Sequence, residues 1–137
     1  MKTPVITLWQ PWAQFIMFGW KTIETRLHDK FKCLEGREIL IHAGANWDTQ
    51  WFRSASPFLT QEQLNLIDVM QKAEPSIICS AKVILYRRLV FADSKSALIN
   101  CSYHRRGGLF LSEIKKLQPI FIKGSQGIWY YDKPKSL

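Results

Sequence analysis

The sequence predicts a single α+β domain, a mixed β-barrel with peripheral helices, and three observations carry that expectation. Ser76–Arg88 alternates in the manner of a long strand, shorter β-rich runs lie before and after it, and a helical stretch is inserted between the early runs and the long one. That order differs from the regular strand–helix alternation of a βαβ sheet, which points to a mixed barrel. With 137 residues, 47% hydrophobic and 13% aromatic, the chain can bury one core without a disulfide or metal staple. No repeat, low-complexity tract or long linker interrupts it, so residues 1–137 read as one domain with a loose tail from about 133.

The elements follow in order. Val5–Leu8 is β-rich; Pro11 stands at a helix-start position ahead of Trp12, Phe15 and Ile16 at helical spacing, and Gly19 supplies the stop. If Lys21–Arg26 is extended, Thr22, Glu24 and Arg26 share one side and Lys21 turns to the other. Glu38–Ala43 is a further strand. Asp48 can cap a first inserted helix, and Thr60–Gln63 has capping-box form ahead of Leu64, Ile67 and Met70. On the long strand, Ile77, Cys79, Ala81, Val83 and Leu85 take one face and Ile78, Ser80, Lys82, Ile84 and Tyr86 the other. Asp93–Gly108 is rich in turn formers, and Leu109–Leu111 and the run from Leu117 to Tyr131 supply the last strands.

The charge is unevenly distributed. Residues 1–80 carry eight Lys/Arg and eight Asp/Glu, whereas residues 81–137 carry eleven and three, so the whole net charge of +8 belongs to the C-terminal part. Such a bias favours polyanionic partners through counterion release. Cys33, Cys79 and Cys101 are odd in number and lack C-x-x-C spacing, so they read as reduced thiols. The N-terminus lacks the apolar core of a signal peptide and no apolar run is long enough for a membrane span. A cytoplasmic location without membrane partners is expected. His28 and His104 have no metal-ligand spacing to the cysteines or acids, and neither a metal nor another cofactor is predicted.

Lys21, Glu24 and Arg26 place three charges within six residues, beside Trp9, Trp12 and Trp20. The plain alternative is a surface salt-bridge cluster next to core aromatics, contributing little stability. As a binding set, Lys21 or Arg26 can pair with phosphate, and Glu24 can read a base amino group or orient Arg26. Gln10 offers an amide donor and acceptor for a base edge. In Tyr103–Gly108, Tyr103 can stack on an unpaired base, Arg105 and Arg106 can meet phosphates, and the glycines permit close backbone approach. Arg87, Arg88, Lys115, Lys116 and Lys123 extend a basic track only if the fold gathers them. His42 reads as a core or cleft-edge histidine, and Gln126 and Trp129 as residues near the cleft floor.

Gly19–Arg26 resembles the G-x-K-x-x-E-x-R signature of the ASCH (activating signal cointegrator homology) domain, and the preceding "LWQPWAQFIM" resembles the segment leading into its helix. Ile41–Gly44 resembles the second core strand of that family, and Leu117–Trp129 its closing strand and turn. The resemblance implies a PUA-like barrel with a cleft beside the signature. Its members have been linked to RNA or DNA binding, to ribonuclease activity and to deacetylation of N4-acetylcytidine nucleosides.

In the amidohydrolase branch the resemblance implies a threonine nucleophile, a lysine base and a glutamate on a later strand. Lys21 matches the lysine, but Glu24 stands at the threonine position, and aligning "ICSAKV" puts Lys82 at the glutamate position, in the cleft beside Glu24. Thr22 as a substitute nucleophile would have Lys21 turned away from it under strand alternation. The reading is therefore a domain that binds RNA, another nucleic acid or a nucleotide through Gln10, Lys21, Glu24, Arg26, Lys82, Tyr103, Arg105 and Arg106. The alternative is an enzyme acting on RNA or a modified nucleoside, with Lys21 as acid or base and Glu24 as its charged partner.

Overall fold

A computed structural model describes residues 2–67, 74–102 and 106–133. β1 (Lys2–Gln10) runs into α1 (Trp12–Met17), and the chain leaves that helix through Gly19 at φ +78°, a left-handed conformation that glycine adopts without a Cβ clash. Next come β2 (Ile23–Arg26), β3 (Glu38–Trp47), α2 (Trp51–Ala55) and α3 (Gln61–Ile67). β4 (Ser76–Arg88), α4 (Ser94–Ala97), β5 (Gly107–Phe121) and β6 (Ile128–Asp132) complete the order.

The capping box ahead of α3 is formed reciprocally. Thr60 Oγ1 accepts from Gln63 N at 3.1 Å, and Gln63 Oε1 accepts from Thr60 N at 2.8 Å. Met70 lies outside the described residues. Asp48 serves the turn before α2, its Oδ1 accepting from Gln50 N at 2.8 Å.

The strands form one mixed sheet in the order β2-β5-β4-β3-β1-β6, with β1 parallel to β3 and every other pair antiparallel. The parallel pair is possible because the chain passes through α1 and β2 between its two strands. The expected closure into a barrel is not made by hydrogen bonds among the described residues: β2 and β6 are the two ends of the order. β2 has four residues, and all four pair with Gly107–Phe110 of β5.

The face assignment along β4 holds only in part. Register shifts against β5 fall between Ile77 and Cys79, Ser80 and Lys82, and Val83 and Leu85. Across the first of these, Ile78 joins Cys79, Ala81 and Val83 in the main core with Ile6, Leu8, Ile39 and Ile41. Ile77 packs instead with Val5 and Leu40, against Trp129 and Tyr131 of β6. An extra residue in one strand reverses the alternation beyond it. β5 is likewise longer than the two short runs predicted, passing unbroken from Gly107 to Phe121.

Gly107 and Gly108 serve packing rather than ligand approach. A Cβ on Gly108 would lie 2.5 Å from Leu89 Cδ2 and 2.8 Å from Ile23 Cγ2, so its absence lets β2 and the segment after β4 close over β5. A second apolar cluster joins Phe15 of α1 to Ala55, Ile67 and Leu98, holding the inserted helices at one end of the sheet. Among the described residues no helix is long and apolar enough to cross a membrane.

Candidate functional site

The end of α1 sets the position of the signature charges. Trp20 N and Lys21 N both donate to Phe15 O, at 3.0 and 3.1 Å, and Thr22 N donates to Ser96 O at 2.9 Å. Regular pairing therefore begins only at Ile23, and the alternation expected from Lys21 does not apply. Lys21 lies on the same side as Glu24, its Nζ 3.7 Å from Glu24 Oε1, while Arg26 Nη2 is 3.3 Å from Glu24 Oε2. One carboxylate thus holds two cations.

Lys21 is 2% exposed and Glu24 6%, so this is a buried array and not a solvated surface cluster. The Lys21 ammonium donates to Ala97 O at 2.5 Å and sits 5.1 Å from the centroid of the Trp12 ring. Ala97 ends α4, where Leu98 turns left-handed at φ +55°, and a terminal carbonyl has no partner within its own helix. Desolvation pulls the Lys21 pKa down to about 8, against the pull of Glu24 in the other direction. Arg26 lies over the Phe31 ring at 4.7 Å, and its Nε is buried with no hydrogen-bond partner among the described residues.

These groups form one wall of a cleft of about 490 Å³. Trp12, Thr25, Asp48 and Arg106 are among its other polar lining residues, and Trp12 Nε1 donates to Asp48 Oδ2 at 2.8 Å. Three cations face two carboxylates, so the lining has a positive excess. The Nε of Arg106 also has no partner among the described residues. Both arginine side chains are partly exposed, and a guanidinium can present a planar fork of donors to an anionic group.

No family model matches the chain, and no curated protein matches it. Solved structures do. The crystal structure of ASCH from Zymomonas mobilis is 14% identical, covering 96% of this chain and 88% of its own, with a TM-score of 0.58. The chain has the ASCH fold. A serine-to-alanine mutant of the Zymomonas ASCH protein gives a TM-score of 0.59 at 16% identity, covering 96% of this chain and 89% of its own. A tyrosine-to-phenylalanine mutant gives 0.56 at 17%, covering 97% and 92%.

Within this ASCH fold, Lys21, Glu24 and Arg26 line one cleft, and Arg106, from the separate Tyr103–Gly108 stretch of the sequence, joins them there. Gln10 does not reach the lining: it is 1% exposed, and both of its amide atoms are buried without a partner among the described residues. Lys82 is not beside Glu24. It is exposed and lies with Glu38, Glu113 and Lys115 in a separate shallow depression, because its position on β4 points outward there. Tyr103 and Arg105 lie outside the described residues. Thr22 is not part of the cleft lining, whereas Thr25 is.

Among the described residues, the basic residues of the C-terminal part border several depressions. Arg87 makes a two-pronged bond to Asp93, at 2.9 and 3.0 Å, and covers Phe110, while Lys115, Lys116 and Lys123 border three different depressions. His42 is fully buried. Its Nε2 lies 2.7 Å from Ile122 O, which as an acceptor fixes the proton on Nε2. Burial lowers its pKa, and Gly124 packs against its Nδ1 side, so the ring is a neutral structural group. Trp129 packs edge-on against it and donates to Thr7 Oγ1 at 3.0 Å.

Sequence reasoning missed Thr25, Ser54 and Ile99, and knew Asp48 only as a cap. Thr25 was within reach, since it stands inside the signature. Ser54 and Ile99 carried no local signal, because only tertiary packing brings α2 and the segment after α4 to this cleft. Among the described residues no group of three His, Cys, Asp or Glu side chains could hold a metal ion.

Proposed function

We propose that this protein binds RNA or another single-stranded nucleic acid, taking a nucleotide unit into the cleft beside Lys21, Glu24 and Arg26. The observation that carries this reading is the buried Lys21–Glu24–Arg26 array on an open cleft wall, with the partly exposed Arg26 and Arg106 side chains lining the same cleft. Burying a lysine is unfavourable, and a fold that needed only stability could place an apolar side chain there. Glu24 keeps the two cations in place and offers an acceptor to a base amino group. The ASCH fold and the overall charge of +8 fit a polyanionic ligand, and the unpaired cysteines fit a cytoplasmic setting.

The test is binding of labelled single-stranded RNA, followed by fluorescence anisotropy from low to physiological salt. Affinity should fall steeply with salt, and Arg26→Ala or Arg106→Ala should each shallow the log–log slope by about 0.7, the value of one phosphate contact on a single strand. No binding, or a slope that neither variant changes, overturns the reading.

A second reading rests on the lowered pKa of Lys21, about 8, which supplies an amine that can gain and lose a proton near neutral pH. On this reading Lys21 is the acid or base and Glu24 its partner in an enzyme acting on RNA or a modified nucleoside. It expects turnover of single-stranded RNA or N4-acetylcytidine that Lys21→Met abolishes while RNA binding persists. Absence of turnover by folded protein on both substrates removes it.

A further inference from the structure

A second, larger hollow of about 670 Å³ adjoins the first cleft, and the two share Thr7 and Trp9 as a common wall. Both residues belong to β1, which lies between β3 and β6 in the sheet. Trp9 is 55% exposed although it is the largest kind of apolar side chain, so it stands as an uncovered ring on the ridge between the hollows. The second hollow has a different character from the first. Phe121, Ile122 and Pro75 make it mainly apolar, Asn46 and Gln126 provide amide groups, and Lys123 and Glu74 bring one charge of each sign.

We infer that the two hollows are consecutive subsites for one single strand, so that the ligand is at least a dinucleotide, with Trp9 as the stacking platform between its bases. The inference rests on the nucleic-acid reading of the first cleft and adds the length and polarity of the bound segment. The first cleft, with Lys21, Arg26 and Arg106, suits a phosphate and its sugar. The second, with an apolar floor and side-chain amides, suits a base, which is planar, poorly hydrated on its faces and edged with donors and acceptors. Each volume falls in the range of pockets that enclose small ligands. Exposed aromatics interleaved with cations are the means by which sequence-tolerant single-strand sites gain affinity.

The charge pattern separates this ligand from an apolar peptide. Both hollows carry charged groups, Lys123 with Glu74 in one and Lys21, Arg26 and Arg106 with Glu24 and Asp48 in the other, and a purely apolar ligand would leave them all unused.

The experiment is calorimetric titration with 5′-phosphorylated oligoadenylates of one, two and four nucleotides. The dinucleotide should bind at least about tenfold more tightly than the mononucleotide, and the tetranucleotide should add only a few-fold more. Lys123→Glu, which lies outside the first cleft, should erase most of the dinucleotide gain and leave mononucleotide affinity unchanged. Trp9→Ala should weaken the dinucleotide by about 5- to 150-fold, the range expected for one lost base stack. Equal affinity for one and two nucleotides, or insensitivity of the dinucleotide to both variants, overturns the two-subsite inference while the first cleft remains a nucleotide site. Failure of all three oligoadenylates to bind, with RNA binding also absent, overturns the nucleic-acid reading itself.

Discussion

Replacing Lys21 with methionine should change the pH dependence of folding stability in a direction fixed by its burial. Methionine keeps an unbranched side chain of similar length but carries no charge. In the wild type the ammonium pKa falls from 10.5 to about 8 on folding, chiefly by desolvation. Between these values the unfolded chain retains a proton that the native chain has released, so native stability rises with pH across that window. Below about 8 the lysine is protonated in both states and the gain is absent. At about 1.4 kcal/mol per pH unit, the complete window is worth about 3 kcal/mol, most of it gained between pH 7 and 10. The variant lacks this contribution. It also loses the bond to Ala97 O and the pairing with Glu24, which lowers its stability throughout. Urea unfolding followed by tryptophan fluorescence at intervals from pH 7 to 10 measures the difference between the two proteins. The wild type should gain on Lys21→Met by about 2–3 kcal/mol as the pH rises. A difference that stays flat, or runs the other way, would show that the lysine is hydrated and that the buried array is wrong.

Two further substitutions test the framework around the cleft. Gly108→Ala places a methyl group 2.5 Å from Leu89 and 2.8 Å from Ile23, and should cost about 1–3 kcal/mol in urea unfolding; unchanged stability would contradict the close packing of β2 on β5. Thr60→Ala removes the acceptor for Gln63 N and should destabilise α3 by about 1 kcal/mol, read as faster amide exchange over residues 61–67, with no change expected at β4. Equal protection of α3 in both proteins would remove the capping argument.

What could be read from the sequence was what depends on neighbours along the chain. The capping box at Thr60 and Gln63 closes within one turn, Gly19 ends α1 where its conformational freedom is needed, and β4 spans the predicted Ser76–Arg88. The errors arise where another segment intervenes. The reversal of Ile77 and Ile78 depends on the register of β5, and the side taken by Lys21 depends on Phe15 and Ser96 capturing the backbone before Ile23. The position of Lys82 in the cleft rests on aligning "ICSAKV" with the resembled family, which says nothing about a register shift between Ser80 and Lys82. Ser54 and Ile99 of the cleft are ordinary in their own sequence context and meet the signature charges only through the fold.

The bond from Lys21 to the Ala97 carbonyl joins positions 76 residues apart. The signature segment, although contiguous, is therefore not a portable cassette. Grafted onto another scaffold or made as a peptide, it would bring Lys21, Glu24 and Arg26 but not the helix-end carbonyl or the packing that excludes water from the ammonium. The lysine would regain its hydration shell and titrate like any exposed lysine, and Glu24 would hold two mobile cations in place of two fixed ones. An engineer wishing to move this chemistry would have to transplant α4 and its left-handed Leu98 together with the signature.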